Sequence, residues 1–342
     1  MKRMRAARLH EGRKFLIEEV PVPEPQPGEV RVKVASCGIC HTDLHYIDHG
    51  VPTAKEPPIT LGHEVSGIVE KLGSGVDEKI ERTRVLVPAV LPCRECSICA
   101  SGRGTICERM RMFGNHIDGG FAEYLIVPAR EVVPIPDGIP LEEASIIADA
   151  LTTPYHAVRN RAKVKPGETI AIFGCGGIGL GLVQCAQAVG AHVIAIDLKE
   201  EKLSLAKELG ASKTINASLV DKPGKVLRKE TGGGVDCAFE AVGKGQTIQQ
   251  AYDSLRSGGR LCVVGFSPEE VGLALGRLMF RELTVVGSLG CHPEDYPAVV
   301  RWVAEGRIKL EPMITGRFGL EKIEEGLNRL RNGEGVRSIV IP

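Results

Sequence analysis

Cys93, Cys96, Cys99 and Cys107 are separated by two, two and seven intervening residues in a short stretch that also holds Gly102 and Gly104. Four thiolates around Zn²⁺ at about 2.3 Å close a tetrahedron, and such a site contributes roughly 10–16 kcal/mol to folding in isolated peptides. Segment 92–108 has little apolar side chain to bury, so the spacing predicts a lobe held together by its metal. Because every donor is sulfur, the ion would be structural, with no open position for chemistry. The same cysteines also fit an iron–sulfur cluster or, with Arg94, Arg103, Arg109 and Arg111 beside them, a nucleic-acid ribbon.

A second stretch carries glycines in place of ligands. Ile170-Ala171-Ile172-Phe173 leads into Gly174-Cys175-Gly176-Gly177-Ile178-Gly179, an apolar helix-like run follows to Val189, and Gly190 stops it. His192 to Ile196 then ends at Asp197, 18 residues after the last glycine of the motif. Between a strand and a helix, such glycines permit a tight turn, close approach of backbone to a pyrophosphate, and close helix–strand packing; the helix N-terminus offers N–H groups to the phosphate. Asp197 would accept the adenosine ribose hydroxyls and repel a 2'-phosphate, so NAD is expected over NADP. Two alternatives stay open: Lys199 leaves room for a phosphate, and an aspartate can simply end a strand at the surface.

Cys37-Gly38-Ile39-Cys40-His41-Thr42-Asp43-Leu44-His45 and Gly62-His63-Glu64 resemble the catalytic-zinc segments of the zinc-dependent medium-chain alcohol dehydrogenases. With the four-cysteine lobe, the glycine-rich unit and the domain order, the resemblance spans essentially the whole chain. Its wording looks more like the microbial alcohol dehydrogenases than the polyol or threonine dehydrogenase branches. The resemblance implies Cys40 and His63 as zinc ligands. Asp149, before Ala150-Leu151-Thr152-Thr153-Pro154-Tyr155, stands where many members place a cysteine, and a Cys-His-Asp set matches bacterial and archaeal secondary-alcohol dehydrogenases. One thiolate and one carboxylate neutralise Zn²⁺ as two thiolates would. The resemblance further implies Glu64 as an exchanging ligand and Asp43 as the group that orients the His63 imidazole. Thr42 and His45 become a proton relay through the nicotinamide ribose, and His41 and Arg337 become pyrophosphate contacts, with imidazole the weaker of the two.

The chemistry so implied is reversible hydride transfer between a primary or secondary alcohol and NAD. A hydroxyl releases hydride poorly until it has lost its proton, and a Lewis-acid cation with one open position favours that loss. Two zinc ions per subunit are expected, one catalytic and one structural.

Elements must hold these residues in place. From residue 1 to about 150, short β-rich runs (Val30 to Ala35, His63 to Val69, Tyr124 to Val127) alternate with Pro and Gly, predicting an irregular, mostly antiparallel β domain. From 151 to 289, apolar runs at 170–173, 192–196, 213–215, 235–239, 260–264 and 283–287 alternate mostly with helix-like stretches such as Glu200 to Leu209 and Thr247 to Leu255. They predict an α/β, doubly wound sheet of six parallel strands. Residues 290–342 (helices at Pro297 to Glu305 and Glu321 to Arg331, a strand at Arg337 to Ile341) are expected to return to the first domain. In the terms of the resemblance, these are a GroES-like catalytic domain with its structural-zinc lobe and a Rossmann NAD-binding domain.

Composition removes other classes. Lys plus Arg (43) balance Asp plus Glu (43), so no net field draws the chain to nucleic acid or to an anionic membrane. Ile170 to Ile196 carries no charge until Asp197 and is long enough to span a bilayer, yet its six glycines read better as a buried strand–helix–strand unit. The basic start, Met1-Lys2-Arg3-Met4-Arg5, is not followed by an apolar stretch, so no signal peptide is expected, and clustered cysteines suit reducing cytoplasm. Competing functions are a same-fold zinc dehydrogenase for a polyol, amino alcohol or cyclic alcohol, a zinc-free reductase of the superfamily, and a non-enzymatic NAD-binding structural protein. Ala89 lies near where relatives place a bulky pocket aromatic, so tolerance for secondary or bulky alcohols is expected. The resemblance also implies a homodimer or homotetramer joined through the strand around Leu283 to Gly287.

Overall fold

The computed structural model describes residues 2–342. They form two compact units: one comprises the chain up to Asp149 with Cys291–Gly306 and Leu310–Pro342, the other Ala150–Gly290 with Arg307–Lys309.

In the first unit the long strand Glu29–Ile39 is the spine, with Val30, Val32, Val34, Cys37 and Ile39 buried and Lys33 exposed. It pairs antiparallel with Glu64–Leu72 and Tyr124–Pro128, while Arg337–Ile341 adds antiparallel at its far end, setting Val340 opposite Cys37. The C-terminal segment is thereby brought to the strand end that bears the cysteines. Arg3–Leu9, Phe15–Pro21 and Ile59–Thr60 make a separate three-stranded sheet. One strand, Ile314–Gly319, was not expected from the sequence; it runs parallel to Arg337–Ile341. Gly316 hides its apolar pattern, and a side chain there would collide with Phe318 and Ser338 Oγ.

In the second unit six strands, all parallel, lie in the order Lys213–Asn216, His192–Asp197, Thr169–Phe173, Val235–Glu240, Leu255–Val263, Thr284–Gly287. This is the doubly wound sheet that the apolar runs predict. Its order reverses between Thr169–Phe173 and Val235–Glu240, the switch point where open α/β sheets leave a crevice at their carboxyl ends. The uncharged stretch that raised a membrane reading resolves into strand, the helix Gly177–Val189, and strand. No helix among the described residues is long and apolar enough to cross a membrane.

Candidate active site

The strand Glu29–Ile39 delivers Cys40 to the N-cap of a short helix, His41–Ile47. Asp43 fixes that turn: its Oδ2 accepts the Cys40 N–H at 2.9 Å, and the Thr42 hydroxyl lies 3.7 Å from Cys40 Sγ. Two glycines make room for the partners. Gly38 stands opposite Glu64 in the sheet, and a Cβ there would overlap the Glu64 carboxylate. Gly62 turns at φ +92°, where L side chains rarely go, with Cys37 Sγ and Phe121 filling the space a side chain would need. The next residue is His63.

These turns bring together Cys40, His63, Glu64 and Asp149, one donor atom from each lying within 4.8 Å of all the others. Cys40 Sγ and Asp149 Oδ2 are 3.7 Å apart, and His63 Nε2 and Asp149 Oδ2 are 4.0 Å apart. Bonds of ~2.0–2.3 Å to a tetrahedral zinc give ligand–ligand edges of about 3.3–3.8 Å, so these two edges need only slight contraction to hold the ion. Cys40, His63 and Glu64 are buried, whereas the Asp149 side chain keeps 20% exposure and forms the open side.

Charge argues in the same direction. Burial pushes the Glu64 carboxyl well above its usual range against the pull of Arg337, with Cys40 and Asp149 adding to the rise. Burial likewise raises the Asp43 carboxyl and the Cys40 thiol, with His63 opposing the first and Arg337 the second. One guanidinium, that of Arg337, serves this acidic cluster: Nη1 lies 2.9 Å from Glu64 Oε1, and Nη2 lies 3.9 Å from Asp149 Oδ2. Neither Glu64 oxygen has an aligned hydrogen-bond donor. Thiol and carboxyl donors crowded in low dielectric suit a dication, which would let them ionise together.

Asp43 Oδ1 stands 4.0 Å from His63 Nδ1. That is beyond hydrogen-bond reach, close enough to bias the imidazole electrostatically but not to fix its tautomer by a bond. His45 carries Nδ1 to 3.0 Å from Nδ1 of His49. His41, at the first turn of the same helix, is exposed.

The four-cysteine lobe is equally well formed. Cys93–Cys99, Cys96–Cys99 and Cys96–Cys107 sulfurs are 3.8, 3.5 and 3.8 Å apart. A tetrahedron with bonds of about 2.3 Å has edges of about 3.8 Å. Backbone N–H donation from Glu95 is the main cause that lowers the Cys93 thiol to about 6, giving one thiolate ready for metal at neutral pH. Arg94, between the first two cysteines, makes a bidentate pair at 2.7 Å with buried Glu131, anchoring the lobe to its unit.

In the second unit, Gly174 turns at φ +95° and a Cβ on Gly179 would overlap the Gly174 carbonyl, so both glycines are demanded by the fold. Gly176 differs: nothing lies within 4 Å of where its Cβ would be. Open space beside the amide that caps the Gly177–Val189 helix is what a phosphate requires. Asp197 Oδ2 accepts the Cys175 N–H at 2.7 Å and Oδ1 accepts the Lys199 N–H at 3.0 Å, tying the acid to the glycine loop.

Two residues escaped sequence reasoning. Tyr296 donates to the carbonyl of Ala148, just before Asp149, at 2.7 Å and accepts the Ala89 N–H at 3.3 Å. Glu240, fully buried, gathers the N–H groups of Val242 and Gly243 and the Thr247 hydroxyl on one oxygen, shaping the loop beside Gly174. Glu240 ending an apolar strand was a usable signal; a tyrosine beside Pro297 was not.

Fold and donor clusters together define a zinc-binding oxidoreductase with a dinucleotide fold, and known proteins agree. Residues 26–137 match the alcohol dehydrogenase GroES-like domain and residues 177–305 the zinc-binding dehydrogenase domain. The chain is 37% identical over 333 residues to an alcohol dehydrogenase of Geobacillus stearothermophilus, covering 97% of each. It is similar to the structure of a candidate zinc-binding dehydrogenase from Sinorhizobium meliloti 1021 bound to NADP, with TM-score 0.92, 34% identity and 100% of both chains covered. It is also similar to 2R,3R-butanediol dehydrogenase from Bacillus subtilis, with TM-score 0.91, 31% identity and 99% of each chain covered. The chain belongs to the zinc-dependent medium-chain alcohol dehydrogenase family. It is an oxidoreductase of the alcohol dehydrogenase type, using zinc and a nicotinamide cofactor on a small-molecule substrate.

Proposed function

We propose that this chain is an NAD-dependent alcohol dehydrogenase interconverting primary or secondary alcohols with aldehydes or ketones. The observation that carries the reading is the convergence of Cys40, His63, Glu64 and Asp149 on one point with a single exposed side. Zinc bound there supplies Lewis acidity, which makes an alcohol hydroxyl more acidic and a carbonyl more electrophilic. Cys40, His63 and Asp149 would hold the ion. Glu64 stands close enough to exchange onto it and is otherwise balanced by Arg337. Thr42 would hydrogen-bond the substrate hydroxyl and pass its proton toward His45, while exposed His41 would face the cofactor pyrophosphate; Arg337, expected there from the resemblance, is buried against Glu64 and Asp149. Cys93, Cys96, Cys99 and Cys107 would hold a second, structural zinc.

Gly174, Gly176, Gly177, Ile178 and Gly179 form the phosphate cradle in this reading, and Asp197 selects NAD. Asp197 sits at the loop with both carboxylate oxygens positioned by backbone N–H groups, and a 2'-phosphate would meet that charge. Assembly as a dimer or tetramer is supported by the free edge of the six-stranded sheet at Thr284–Gly287, flanked by exposed Leu275, Met279, Phe280 and Leu289.

Purified zinc-loaded protein should be assayed with ethanol, 2-propanol, longer secondary alcohols and vicinal diols, each with NAD and NADP, following nicotinamide absorbance. The expected result is turnover of simple alcohols with kcat/KM at least about 10-fold higher for NAD than for NADP. A preference for NADP would overturn the role of Asp197. Turnover confined to diols would move the chain to a polyol-type substrate, and absence of any turnover would favour a structural NAD-binding protein.

A further inference from the structure

We infer that His49 is the outward partner of His45, a second imidazole through which the substrate proton reaches water. The inference rests on the relay reading of Thr42 and His45 and adds a residue to it. The two Nδ1 atoms are 3.0 Å apart, with ring centroids at 5.2 Å and planes inclined by 53°. Two imidazole nitrogens hold that distance only with one proton between them: two lone pairs repel, and two N–H groups collide. The contact is built by the helix end. Asp48 N–H and His49 N–H both donate to the Leu44 carbonyl, at 2.7 and 3.3 Å, curling the chain so that the two rings meet.

Charged neighbours at this end are occupied with one another. Arg331, from the helix Ile323–Arg331, grips the Asp48 carboxylate at 2.7 and 3.0 Å and also pairs with Glu324. Arg13, from the turn Glu11–Arg13, donates to the Asp48 carbonyl at 3.1 Å. His45 is half-buried and His49 exposed, so the pair runs from interior to solvent. Burial, with the nearness of His49, lowers the His45 pKa from its ordinary 6.5, which keeps it neutral and able to accept a proton.

The transfer balances. A proton arrives at His45 Nε2, the shared Nδ1 proton crosses to His49 Nδ1, and the proton on His49 Nε2 leaves to water. The tautomers are restored by exchange of ring protons with solvent.

The test compares His49→Gln and His45→Gln in metal-loaded protein, by single-turnover oxidation of a simple alcohol with saturating NAD. His45 is also titrated by imidazole NMR without substrate. The expected result is that His49→Gln slows oxidation roughly 3- to 10-fold near neutral pH, part of the ~10²–10⁴-fold that positioned acid–base groups contribute. Added imidazole should restore the rate, and the His45 pKa should rise. If His45→Gln is slowed while His49→Gln keeps the native rate and an unmoved His45 titration, this inference fails alone. If both variants keep the native rate, the relay reading fails with it.

Discussion

Asp149 is the residue on which the proposed chemistry turns, because as a ligand it would keep the cluster both anionic and open. Cys40 and His63 are buried on the sheet side, so the Asp149 carboxylate sets the charge at the exposed side. Asp149→Asn keeps the shape and removes that charge. It should lower zinc affinity and cut kcat/KM at least about 10²-fold, measured by zinc content after dialysis and by steady-state kinetics. Native kinetics with full zinc content would exclude Asp149 as a ligand. The four cysteines of the lobe were legible from their local spacing, whereas Cys40, His63, Glu64 and Asp149 are dispersed along the chain and were legible only through the family resemblance. What was not legible was the Glu64–Arg337 pair, made by residues far apart in the chain, or the Tyr296 hydroxyl that joins the Ala89 and Ala148 backbones. Such contacts arise only once the sheet sets Arg337–Ile341 against Glu29–Ile39.

Among the elements, the glycine-rich turn separates folding from binding within six residues. Gly179→Ala would press a methyl into the Gly174 carbonyl, whereas Gly176→Ala would point one into open space. Gly179→Ala should therefore destabilise the protein by about 1–3 kcal/mol in thermal or urea unfolding. Gly176→Ala should leave stability within ~0.5 kcal/mol while raising KM for NAD. Equal stability losses, or an unchanged KM for Gly176→Ala, would contradict the phosphate reading. The six parallel strands were legible because buried strands read as short apolar runs between helices. Irregular pieces were not: Ala157–Arg161 winds as a π-type turn directly after Thr152–His156, and Ile314–Gly319 carries glycines in place of a clear alternation. Local propensity is weak there and tertiary packing decides.

At the scale of the whole molecule, an evenly balanced charge leaves no net field to draw in a charged substrate, so selectivity is expected to come from the site itself. The exposed strand edge beside Phe280, itself 85% exposed, is an association hazard unless a second chain covers it. Light scattering should give at least twice the 36.7 kDa chain mass, and Val285→Lys on that edge should shift the protein toward monomer. The central claim is that one bound ion at Cys40, His63 and Asp149 enables the reaction. Its most direct test is to strip the purified enzyme with a chelator, count the metal, and measure alcohol oxidation before and after adding zinc back. Two zinc per chain are expected at the start, corresponding to the two donor clusters, with loss of turnover on stripping and recovery with zinc. Full-rate turnover by metal-free protein would contradict that claim.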